Sequence, residues 1–405
     1  MKFADKLLTN KWAILAIYIV FALAASMQSL LLGNEVYQIE GKEYISTHYN
    51  NYVIFKNSFL HLIKYKDLYQ FYFDENWDLF KYSPTFALFF GFFYALPDAI
   101  GLSLWNILNA VVIFAAVYYL PNVSIKNKGI ILLSVLIELM TCMQNEQSNA
   151  LICGLIILAF GLLERGNYFV AVFCIVFTVY IKLFGIVALA LFIFYPGKLK
   201  LALYTLFWSL LLLALPLIVV DLAQLKFLYE SWGRQLVGDH SVSLGLSVAG
   251  WLDSWFKLSI NKSLVTLLGA ALFCVPFVRV REYKNYSFRL LALASVLIWV
   301  VIFNHRAESP TFIVAMGGAA IWAFTQPVKL ENMILFIIAF VFTSLSPTDI
   351  FPLSVRINFF QAYCIKAVPC IVIWVKIIYD QLFTKGIQLR VDEQRFDLAH
   401  SGNNI

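Results

Sequence analysis

Long apolar stretches broken by short polar clusters recur along nearly the whole chain. A stretch needs roughly 20 residues to cross the hydrocarbon of a bilayer as an untilted helix. The candidates are 12–32, 84–120, 129–143, 149–163, 168–181, 184–196, 201–220, 263–279, 288–303, 310–325, 331–344 and 356–378. Several are short, which fits helices that tilt little, thin the bilayer, or end at a polar cavity where backbone faces protein. Segment 84–120 is too long for one span and carries Pro97-Asp98 in its middle. A re-entrant piece followed by one helix suits it. The pattern predicts an all-α, polytopic integral membrane protein of about twelve transmembrane helices over 1–380, with a short cytoplasmic tail over 381–405.

Composition agrees. Hydrophobic residues are 61% and charged residues 13% of the 405-residue chain, against about 45–50% and about 25% in soluble domains. The basic start MKFADKLLTNK precedes an apolar stretch, Trp12 to Leu32, longer than a signal-peptide core, so a first membrane helix is expected. The net charge of +6 reports loop orientation rather than a nucleic-acid partner. Cys142, Cys153, Cys174, Cys274, Cys364 and Cys370 lie in or beside apolar runs and have no paired spacing, which marks them as small core residues. Neither a metal nor a cofactor is expected.

Orientation follows from the lysines and arginines. With Lys2, Lys6 and Lys11 in the cytoplasm and one crossing in 84–120, Lys126, Lys128, Arg165, Lys198, Lys200, the Arg279–Arg289 cluster, Lys329 and the tail all fall inside. The other side then collects the 33–82 loop, the QNEQSN turn (144–149), Lys182, the 221–262 loop, HRAESP and SLSPTD. Basic, simple loops lie inside, and carboxylates, amides, aromatics and histidines outside, so function is expected on the external face.

In the first external loop, Tyr52, Phe55, Phe59, Leu62 and Ile63 share one helical face, and Asn57, His61 and Lys64 another. That pattern predicts an interfacial helix. The aromatic run after it carries Asp67, Asp74, Glu75 and Asp78. It suits either a covering flap with solvated charges or a platform for a sugar or lipid, with a carboxylate near the reacting centre. Six polar residues in QNEQSN exceed what a plain turn needs; Glu146, Gln147 and Asn149 would bond several hydroxyls at once. Lys182 interrupts an apolar run, which points to function or to a side chain snorkelling to the interface. Arg306, between His305 and Glu308, suits bidentate phosphate binding or a local pair with Glu308. Arg234, Asp239 and His240 form a further cluster, for substrate contact or local pairing. Glu138, inside a span, suits packing against a bundle partner.

The run NYVIFKNSFLHLIKYKDLYQFY followed by KYSPTFALFFGFFYALP, and then QSNALICGLIILAFGLLERGNYFVAVFCIVFTVYIKLFG, resembles glycosyltransferase family 87 of the GT-C superfamily. The resemblance covers about residues 50–200, with HRAESP beyond. It implies transfer of a hexose, often mannose, from a polyprenyl-phosphate-linked sugar donor to a lipid or glycan acceptor on the outer face. A carboxylate would act as general base and basic groups would stabilise the departing phosphate. Tyr69, Tyr82, Pro84, Gln147, Asn149 and Lys182 match family positions. Asn51 stands where the family has its first-loop Asp, Glu146 replaces the usual Gly, and Gly185 lies in the usual Pro region. An amide takes no proton, so the base falls to Glu146, Asp74, Asp78 or Glu308, or the chain is an inactive lipid-sugar-binding relative. A non-enzymatic lipid or sugar transporter or flippase is the competing class. Transporters favour repeated halves with broken helices near the midplane, whereas this chain shows no repeat and gathers its polar residues on one side.

Overall fold

The computed structural model describes residues 2–39, 41–76, 78–238, 244–258 and 261–384. Asp239 and His240, and the expected tail from 385 onward, lie outside the described residues. Helix α1 (Lys2–Thr9) turns into α2 (Lys11–Leu31) at Asn10, whose Oδ1 accepts the N–H groups of Trp12 and Ala13 at 3.1 and 3.2 Å, an N-cap that satisfies two orphan donors. A hairpin of β1 (Glu35–Ile39) and β2 (Lys42–Ser46) follows, with Val36 opposite Ile45 and Tyr37 opposite Tyr44. Helix α3 (Asn50–Ile63) and an irregular stretch then lead to α4 (Pro84–Phe89), α5 (Gly91–Tyr94) and α6 (Asp98–Tyr119).

Next come α7 (Ile125–Ser134), α8 (Leu136–Gln144), α9 (Asn149–Glu164) and α10 (Tyr168–Ile181). A 3₁₀ stretch over Leu183–Phe194 precedes α11 (Lys198–Ala214), α12 (Leu222–Gly238), α13 (Val248–Phe256) and α14 (Lys262–Cys274). The chain finishes with α15 (Tyr286–Ile302), α16 (Phe312–Thr325), α17 (Leu330–Ala339), α18 (Leu353–Val355) and α19 (Val368–Phe383).

Apolar residues on all sides put α9, α15 and α16 at the centre, where every residue of α16 is buried. By contrast α11 turns Leu199, Leu203, Leu206 and Leu210 outward, and α14 turns Leu267 and Leu268 outward. Such apolar outer faces suit hydrocarbon rather than water. Among the described residues, Lys11–Leu31, Asp98–Tyr119 and Lys198–Ile218 are long and apolar enough to cross a membrane, while the other apolar helices run 10–17 residues. A 14-residue helix reaches about 21 Å against a core of about 30 Å. The expected twelve full spans are therefore replaced by three long helices and a set of short ones broken at polar points.

Other expectations are corrected. Segment 84–120 does break before Pro97, into two short helices and one of 22 residues. Segment 356–378 is not one helix: a π-helical turn over Arg356–Gln361 is followed by turns before α19. The hairpin departs from an all-α chain; its alternation of polar and apolar residues is a strand pattern too short to stand out. Helix α3 buries Ile54, Ser58 and His61 beside Tyr52, Phe55 and Leu62, so His61 is inside protein and Ile63 outside. Its ring reaches Glu75, with Nε2 to Oε2 at 2.8 Å. The six cysteines are free thiols; Cys274 is exposed because α14 faces outward.

Two buried ion pairs cross the bundle. Lys366 Nζ donates to Glu138 Oε1 and Oε2 at 2.9 and 3.1 Å and to Ser309 Oγ at 2.9 Å, with side-chain exposures of 5% for the lysine and 0% for the glutamate. Arg289 grips Glu164 with two bonds of 2.6 and 2.7 Å, and Tyr195 donates to the same carboxylate.

Candidate active site

The site forms where α10 ends. Lys182 leaves helical geometry at φ −141°, ψ 127°, which swings its side chain away from the α10 axis. Its Nζ donates to Gln147 Oε1 at 3.1 Å and Asn149 Oδ1 at 2.9 Å, both from the α8–α9 turn. Tyr82 brings a third segment: its hydroxyl donates to Gln147 Oε1 at 3.3 Å, and its ring centroid lies 5.6 Å from Lys182 Nζ. Burial lowers the Lys182 ammonium to a pKa of about 8, partly opposed by the carboxylate of Glu308 nearby. Asn149 is buried, and its Nδ2 has no partner among the described residues.

Local sequence explains each placement. Ser83 caps α4, accepting from the Phe86 N–H at 3.2 Å, with Pro84 at the first helical position. The Ser83 hydroxyl also donates to Tyr180 O, tying Tyr82 to α10. Tyr69 is not in the cradle; its hydroxyl donates to the Tyr82 carbonyl at 2.9 Å and fixes that segment. Asn51 likewise acts from outside: its Nδ2 donates to Asn145 O at 2.9 Å and pins the α8–α9 turn.

Glycine at 185 is required by packing. A Cβ there would sit 2.2 Å from Thr178 Oγ1, and the same turn carries the Lys182 N–H to Thr178 O at 2.8 Å and the Gly185 N–H to Lys182 O at 3.0 Å. Gly185→Ala is expected to cost about 1–3 kcal/mol by overpacking, and adding Thr178→Ala to recover most of it. Thermal midpoints of the single and double variants in detergent check this.

The remaining candidates separate. Glu146 has φ 48°, which turns its side chain inward to accept from Ser29 Oγ at 3.1 Å, while Trp105 Nε1 donates to its carbonyl at 2.8 Å. It is 2% exposed, and burial holds its carboxyl well above the usual range. A sealed acid is poorly placed as a base. Asp78 pairs with Lys81 at 2.9 Å, and Asp74 is exposed. Arg234 is exposed on α12, whose Ser231 donates to Asp67 at 2.8 and 2.9 Å, so this helix lies over the first loop.

His305, Arg306 and Glu308 share the α15–α16 loop. Ala307 O accepts from the Leu246 N–H at 2.8 Å, and the Glu308 N–H donates to Thr311 Oγ1 at 3.4 Å. The Glu308 side chain is exposed beside the Lys182 cradle. Sequence reasoning missed the Lys366–Glu138–Ser309 link under this loop; charged residues inside apolar runs were its one signal. Among the described residues, no group of three His, Cys, Asp or Glu is placed to hold a metal ion.

The pattern of Glycosyltransferase family 87 matches residues 80–347, a span that holds Tyr82, Gln147, Asn149, Lys182 and Glu308. None of the curated proteins matches the chain. With about two-thirds of its length matched and its apolar helices suited to a bilayer, the chain belongs to glycosyltransferase family 87 and is a membrane glycosyltransferase.

Proposed function

We propose that the protein transfers a hexose, with mannose the first candidate, from a polyprenyl-phosphate-sugar to a lipid or glycan acceptor on the extracytoplasmic face. The carrying observation is the convergence of Tyr82, Gln147, Asn149 and Lys182 from separate segments on one ammonium group. An ammonium resting on two neutral amide oxygens gains by exchanging them for phosphate oxygens, because charge-assisted hydrogen bonds are about twice as strong. Asn149 Nδ2 adds a buried donor in need of an acceptor.

In this reading Glu308 is the general base. It takes the acceptor hydroxyl proton as that oxygen attacks the anomeric carbon. The bond from that carbon to the phosphate oxygen breaks, and its electron pair leaves on polyprenyl phosphate beside Lys182. His305 and Arg306 flank the acceptor, and Arg234, Asp74 and Asp78 sit on the covering first-loop assembly. The termini are cytoplasmic and the short helices end at the external cavity, so fewer than twelve of them need reach full length.

Reconstituted protein supplied with labelled polyprenyl-phosphate-hexose tests the reading. Label appearing on an acceptor supports it; flux of sugar across the vesicle wall with no bond broken overturns it. Glu308→Gln is expected to lower kcat about 100-fold while the donor KM stays nearly constant, checked by steady-state kinetics. A Lys182 pKa of about 8 sets the pH response. The ammonium is charged below that value and lost above it, so the donor KM should rise roughly tenfold between pH 7 and 9. A KM–pH profile checks this.

A further inference from the structure

Apart from the transferase site, the largest cavity is an apolar groove of about 390 Å³ walled by Leu8, Ile130, Leu133, Phe324, Met333 and Phe336. It lies between α1, α7, α16 and α17. Ile130 and Gln147 stand at opposite ends of the α7–α8 rod, about 25 Å apart at 1.5 Å per residue. The groove therefore sits at the end of the bundle remote from Lys182.

Its rim is built for a headgroup. Helix α1 is strapped across α7 by the Lys126–Asp5 pair at 2.6 Å, and packs so closely that a Cβ on Gly129 would come within 2.2 Å of Leu8 O. Exposed Lys6 stands two residues from Leu8. Exposed Lys329 stands one helical turn before Met333, whose N–H bonds its carbonyl. Exposed Trp12, with Lys11 Nζ 4.8 Å from its ring centroid, marks the headgroup level as interfacial tryptophans do. The nearby acid Glu331 is bridged to Lys376 at 3.3 Å, which leaves the rim positive. Gln326, two residues beyond Phe324, is buried, and its Nε2 has no partner among the described residues. A lipid ester or phosphate oxygen would satisfy that donor.

We propose that this groove is a binding site for an anionic two-chain phospholipid, with an acyl chain along Leu133, Met333 and Phe336 and the phosphate between Lys6 and Lys329. Basic side chains near a membrane surface each favour anionic lipid by about 1 kcal/mol. The donor lipid is excluded from this role because its phosphate belongs at Lys182, at the far end. The site stands independently of the chemistry assigned to the cradle.

Native mass spectrometry of the full chain, delipidated and then offered equimolar phosphatidylglycerol and phosphatidylcholine, tests the proposal. At least tenfold preferential retention of phosphatidylglycerol is expected. Met333→Trp should abolish retention by filling the groove. The Lys6→Gln/Lys329→Gln pair should make the two lipids equal while remaining monodisperse and transfer-competent. Equal retention by the unaltered chain overturns the proposal, as does retention that survives Met333→Trp. Displacement of phosphatidylglycerol by single-chain polyprenyl phosphate would overturn the occupant. Should Met333→Trp fail to fold, Ile337→Phe fills the same groove and is read the same way.

Discussion

Lys182→Met is expected to lower kcat/KM for sugar transfer about 1000-fold, as losing a donor to the developing charge on a leaving group does. Methionine keeps the length and apolar stem of the side chain and removes the ammonium. Gln147 Oε1 still has the Tyr82 hydroxyl, whereas Asn149 Oδ1 loses the donor it has in the cradle. The fold should therefore survive, since the backbone turn rests on Thr178 O and Gly185 rather than on Nζ. Lys182→Arg restores charge but not shape: a planar fork does not replace a point donor seated between two amides. It should recover part of the activity, and the rise of KM with pH should vanish because guanidinium stays charged. Steady-state transfer with purified, lipid-reconstituted variants checks both. A Lys182→Met enzyme within tenfold of the unaltered chain would remove the cradle from the reaction.

Lys366→Met should destabilise the bundle by about 3–5 kcal/mol, because it leaves Glu138 buried without its counter-ion. The pair is sealed, and both glutamate oxygens rest on the one ammonium. The double variant Glu138→Leu/Lys366→Met should regain most of the loss, since replacing both partners by apolar groups is often neutral. Thermal midpoints in one detergent compare them. If the double falls as far as the single, the pair contributes through something other than unbalanced charge. The pair also anchors Ser309, next to Glu308, so even a stable double variant should lose part of kcat.

Much of the cradle was legible in the chain because its members break strong local rules. Lys182 is an ammonium in an apolar run, and QNEQSN places more amides in a turn than a turn needs. What was not legible depends on backbone direction or on distant partners. Glu146 stood beside Gln147 as a candidate base, yet a positive φ sends its carboxyl to Ser29, away from Lys182. Glu138 had no visible partner because Lys366 lies 228 residues on. His61 shared a polar face with Asn57 and Lys64 by periodicity, but Glu75 folds back to pair with it and makes a histidine burial possible. Asn51, matched to a catalytic position, contacts the carbonyl of Asn145 and so serves the turn.

The central claim is that Lys182 receives the donor phosphate. An experimentally determined structure of the protein in lipid nanodiscs with a non-transferable polyprenyl-phosphate-sugar tests it most directly. The account predicts the phosphate within about 3 Å of Lys182 Nζ, with at least one of the bonds to Gln147 and Asn149 exchanged and the Glu308 carboxylate facing the anomeric carbon. A phosphate bound elsewhere, with Lys182 still seated on both amides, would contradict it.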